Sequence, residues 1–65
     1  MITHTAPKSK FRIIGYDSFD NDQWKVGDYA TLDEAKKEAN KRGGQMTIMY
    51  VHNDKGEIVH RSGSY

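Results

Sequence analysis

Large apolar residues stand side by side in this chain where a half-solvated strand would alternate them with polar ones. Phe11-Arg12-Ile13-Ile14-Gly15-Tyr16 and Gln45-Met46-Thr47-Ile48-Met49-Tyr50-Val51-His52 are rich in β-branched and aromatic residues, the composition of strands. Successive side chains of a strand point to opposite faces of its sheet, so Ile13 and Ile14, or the members of Ile48-Met49-Tyr50-Val51, must divide between two faces. Both faces are therefore apolar. The one helical pattern offers Leu32, Ala35 and Ala39, a narrow stripe able to cover a single face. The other face is left to loops and the N-terminal segment, to a ligand or to a second chain.

The remaining elements complete a ββαββ order. Trp24-Lys25-Val26-Gly27-Asp28-Tyr29 reads as a second strand, joined to the first through the turn-forming Asp17-Ser18-Phe19-Asp20-Asn21-Asp22, and Gly27 is a candidate bulge position. Thr31-Leu32-Asp33-Glu34 has the form of a capping box opening a helix to about Arg42, with Gly43-Gly44 expected as a left-handed stop. Asn53-Asp54-Lys55-Gly56 is a turn before a last strand, Glu57-Ile58-Val59-His60-Arg61. A three-residue loop there pairs His52 with Ile58 and sets His52, His60, Tyr50 and Ile58 on one face; a four-residue loop exchanges the faces. The expectation is an α+β domain over residues 10–65: a four-stranded antiparallel sheet with one helix packed on one face. Residues 1–9 are polar and lack periodicity, which predicts a flexible N-terminal tail.

With 65 residues and no cysteine, the domain has no disulfide to reinforce a marginal core. The N-terminus has no apolar core of a signal peptide, and no apolar run approaches the roughly 20 residues that span a bilayer. The expected setting is cytoplasmic, without a membrane. A net charge of +1 gives no strong footprint for duplex nucleic acid.

Catalysis finds no support. The chain has no cysteine, no G-x-S-x-G and no serine with a plausible base, so we expect no enzyme and no cofactor. His52 and His60 lack third and fourth ligands for a metal, and His4 in a tail is a poor one. Asp17, Asp20 and Asp22 lack the spacing and terminal Glu of a calcium loop and read as a solvated acidic turn. Gly43-Gly44 ends a helix, whereas phosphates are bound where helices begin. Trp24 reads as a core anchor.

Together these elements resemble a small bacterial family catalogued as domain of unknown function 2188, over most of residues 10–65. Trp24-Lys25-Val26 resembles its W-x-V strand, and Thr31 to Ala35 with Ala39 its T-x-x-E-A-x-x-x-A helix start. Val51-His52-Asn53-Asp54-Lys55-Gly56-Glu57-Ile58 is similar to its hairpin, and Ser64-Tyr65 to its S-Y ending. Gly43-Gly44-Gln45-Met46 is longer than the family's usual link, and Lys55 precedes Gly56 where the family commonly has Asp. The resemblance implies a ββαββ unit and no established activity.

The functional expectation follows from the uncovered face. We expect a non-catalytic interaction module that self-associates, or meets another protein, through Ile14, Tyr16, Ile48, Tyr50 and His52. The alternative is a weak single-stranded nucleic-acid binder using Arg12, Lys25, Lys36, Lys37 and Lys41 with an aromatic residue.

Overall fold

Two hairpins are joined through one helix: β1 (Phe11–Asp17), β2 (Asp22–Tyr29), α1 (Leu32–Arg42), β3 (Thr47–His52) and β4 (Ile58–Ser64). The structure, a computed structural model, describes residues 4–64; residues 1–3 of the expected tail and Tyr65 lie outside them. Every strand pairing is antiparallel, and the order across the sheet is β2-β1-β3-β4. The expected α+β, ββαββ architecture is therefore present, with the two most apolar strands in the centre.

On one face the helix closes a core of Ile13, Met49 and Val51 against Ala35 and Ala39, rimmed by Phe11, Val26, Tyr29 and Leu32. Alanines bring the helix close to the sheet because they leave no bulk between backbones. Thr31 caps the helix: its backbone is extended and its Oγ1 accepts the Glu34 N–H at 3.2 Å, satisfying one of the unpaired donors of the first turn. The expected left-handed stop is not formed. Gly43 is extended (φ −66°, ψ 143°) and donates its N–H to Ala39 O at 2.8 Å. Its glycine answers a different demand, since a Cβ there would lie 2.8 Å from the Ser62 backbone of β4.

The last turn has the three-residue form. Asn53 N–H donates to Glu57 O at 2.9 Å, Gly56 takes φ +82°, and His52 pairs with Ile58. One residue later the register slips: Val51 pairs with His60, leaving Val59 as a bulge. His60 is thereby turned to the helix side, where Nε2 meets Asn40 Oδ1 at 3.0 Å. It does not share a face with His52, contrary to the uninterrupted pairing. β2 carries a matching irregularity, with Val26 the extra residue between Gly27, opposite Ile13, and Lys25, opposite Ile14. Each edge strand thus has one bulge, which hinders edge-to-edge pairing.

Trp24 is less buried than a core anchor, at 37% exposed. Its indole lies over the backbone of Gly15, where a Cβ would come within 2.5 Å of the ring. Here glycine provides a seat for the ring.

Residues 4–10 show more order than a tail reading supplies. Ala6 is buried and donates its N–H to Asn53 O at 3.1 Å, and Ser9 N–H donates to Asp54 Oδ2 at 3.1 Å. Lys10 N–H closes a turn on Pro7 O at 2.9 Å. This strap crosses the sheet face opposite the helix, starting from the β3–β4 turn.

Candidate interaction face

Strand alternation and register assemble this face. Arg12 pairs with His52, Ile14 with Tyr50 and Tyr16 with Ile48 across β1 and β3, and Ile13 and Val51 belong to the helix-side core. The five residues expected at an interaction surface are therefore one contiguous patch on the side away from α1. Their exposure is unequal. Ile14, Ile48 and His52 are buried within the single chain, whereas Tyr16 and Tyr50 are half-buried.

The strap contributes to the cover of His52 and borders Ile14. The His4 ring stacks on His52, with centroids 5.2 Å apart and planes inclined by 12°. His4 Nε2 meets Gln23 Oε1 at 2.9 Å, fixing the strap to β2. Between strap and sheet is a pocket of about 180 Å³, lined by His4, Ile14, Tyr16, Gln23, Tyr50, His52 and Ile58. Four of the five expected residues line it, and Ile48 does not. Three lining residues were not among them. Ile58 was within reach, because the three-residue turn sets it opposite His52. His4 and Gln23 carry no such signal, since no periodicity relates them to the sheet.

His52 is only 5% exposed, and its Nδ1 has no hydrogen-bond partner. Burial pushes its imidazole below the ordinary histidine range, and the neighbouring His4 adds to that; backbone groups of Arg12 and Tyr50 act in the opposite direction. Burial thus favours the neutral ring.

The cations of the nucleic-acid reading divide between two sides of the molecule. Arg12 grips Asp28 with two hydrogen bonds, Nε to Oδ1 at 2.7 Å and Nη2 to Oδ2 at 3.2 Å. Lys25 Nζ reaches the same carboxylate at 3.3 Å. The Arg12 hydrogen bond holds Asp28 below the usual carboxylate range, with burial opposing and Lys25 assisting. Lys36, Lys37 and Lys41 ride on α1, across the sheet, and Lys37 shares a shallow groove with Tyr29, Glu34 and Glu38. One strand of nucleic acid could not meet both groups on a single surface.

The aspartates of the first turn serve its backbone. Asp17 Oδ1 accepts the N–H of Phe19 at 2.9 Å, and Asp22 Oδ1 accepts that of Gln23 at 2.9 Å. Among the described residues no group of three or more histidines and carboxylates is placed to hold a metal ion, and no helix is long and apolar enough to cross a membrane. Comparison with known proteins found no matching family model, no matching curated protein and no matching solved structure.

Proposed function

We propose that this domain is a non-catalytic interaction module and that a second copy of the chain docks on the sheet face opposite the helix. The observation that carries this reading is the apolar pocket between strap and sheet, bordered by Ile58 at 58% exposure and by the half-buried Tyr16 and Tyr50. An apolar recess with exposed apolar and aromatic neighbours is the anatomy of a protein contact.

Size and charge favour a second copy. The molecule extends 32 × 25 × 15 Å, so its broad face is on the order of 800 Å², about what each partner contributes to a stable interface. Arg12 and Lys25 share the Asp28 carboxylate, so neither meets a symmetry-related copy as a lone cation.

Light scattering coupled to size exclusion tests the reading. The mass should rise from 7.5 kDa toward twice that value over a concentration series, and Ile58→Glu should hold the protein at the lower mass. A single 7.5-kDa species at every concentration would remove the proposal. Binding of an oligothymidylate that weakens steeply with salt would favour the nucleic-acid reading instead.

A further inference from the structure

We propose that residues 4–10 form a histidine-fastened strap that lies closed over the sheet near neutral pH and is released in acid, uncovering His52 and the pocket wall formed by Ile14. The attachments of the strap are unevenly distributed. Ala6 and Ser9 donate to Asn53 and Asp54, and Thr5 Oγ1 sits beside Gly56, so these contacts cluster at the β3–β4 turn. Toward β2 the strap is fastened by His4, stacked on His52 and in contact with Gln23. Whether the segment lies flat depends on that stack.

A proton is poorly accommodated in the closed arrangement. His52 is almost fully buried beneath His4, and its Nδ1 has no hydrogen-bond partner. Among the described residues, the carboxylates near the stack are already engaged. Asp28 of β2 is engaged by Arg12 of β1 and by Lys25. In the turn, Asp54 accepts from the strap backbone and Glu57 Oε1 accepts from Asn53 Nδ2 at 3.1 Å. The other charged groups on this side are cations: Arg61 of β4, which is paired opposite Tyr50, and Lys8 and Lys10 of the strap itself. Two stacked imidazolium rings would repel each other, and lifting the strap both separates and hydrates them.

The sign follows from proton linkage. His52 in the closed state titrates below its ordinary value, so the open state binds the proton more readily. Closure is fully stabilised above about pH 6.5 and is lost progressively as pH falls below it. The core between α1 and the sheet is Ile13, Ala35, Ala39, Met49 and Val51, and His60, on the same side, meets Asn40 outside it.

Amide hydrogen exchange by NMR on the full chain, at pH 7.5 and pH 5.0, tests the strap. The protection factor of the Ala6 amide should fall severalfold in acid while those of Met49 and Val51 hold. His52→Phe keeps an aromatic ring beneath His4 without a titrating group, and should make Ala6 protection independent of pH. Equal losses at Ala6 and Val51, or a pH response that survives in His52→Phe, would overturn the proposal. That the uncovered residues then serve as a contact surface rests on the self-association reading. The exchange experiment reads the strap alone, so a protein monomeric at both pH values would remove that reading and leave the strap intact.

Discussion

The two faces of the sheet bury the same central strands by unlike means. On one side an eleven-residue helix, capped by Thr31, lays two alanines against Ile13, Met49 and Val51. On the other an irregular strap lies over His52 and closes a pocket against Ile14, fastened by a few hydrogen bonds and a pair of stacked histidines. The helical cover satisfies its backbone internally and cooperatively, and so can close without a partner. The strap borrows acceptors from the β3–β4 turn and adds a titrating group. One sheet thereby gains a permanent side and a side that can be opened.

The largest effect that would sharpen this contrast comes from adjacent residues of β1. Ile13→Ala removes a fully buried side chain beneath the helix and should cost about 3–4 kcal/mol in chemical denaturation, whereas Ile14→Ala should cost about 2 kcal/mol because the strap can settle into the space. Equal losses would mean that the two covers are equally rigid. Deleting residues 1–10 should destabilise the domain by about 2 kcal/mol, through loss of the buried Ala6 and exposure of His52 and Ile14, with little change in far-ultraviolet circular dichroism. An unchanged melting midpoint would show that the strap contributes no cover.

Asp28→Asn should cost about 1–2 kcal/mol, because the two hydrogen bonds from the half-buried Arg12 lose their charged acceptor. Asp28 titrates below its ordinary value when folded. The stability it supplies is therefore present above about pH 4 and lost as pH falls through its folded value, and Asp28→Asn should flatten the acid limb of the denaturation profile. Thr31→Ala should have the smallest effect, about 1 kcal/mol, confined to loss of the helix cap.

Much of the helix side is legible from local chemistry. Thr31-x-x-Glu34 marks the helix start, Leu32, Ala35 and Ala39 its inner stripe, and Asn53 to Gly56 the turn that pairs His52 with Ile58. The patch of Ile14, Tyr16, Ile48, Tyr50 and His52 is partly legible: strand alternation groups Ile14 with Tyr16 and Ile48 with Tyr50 and His52, and the β1–β3 register puts both sets on one face. What escapes is non-local. The bulge at Val59 turns His60 toward Asn40, and no turn-forming residue stands there to announce it. Gly43 resembles a left-handed helix stop in sequence, but it serves a close approach to Ser62 that only the packed sheet creates. The strap is a third case. Its residues have neither strand nor helix periodicity, and their placement depends on acceptors more than forty residues away, as in Ser9 N–H to Asp54 Oδ2.

The most direct test of a sheet covered on both sides is a pair of nuclear Overhauser measurements at pH 7.5, between the ring protons of His4 and His52 and between the Ala6 methyl group and the β3–β4 turn. The account predicts cross-peaks at both places, as strong as those joining Ala39 to the sheet. Rapidly averaging signals for residues 4–10 with no cross-peak to His52, in a domain otherwise folded, would contradict it.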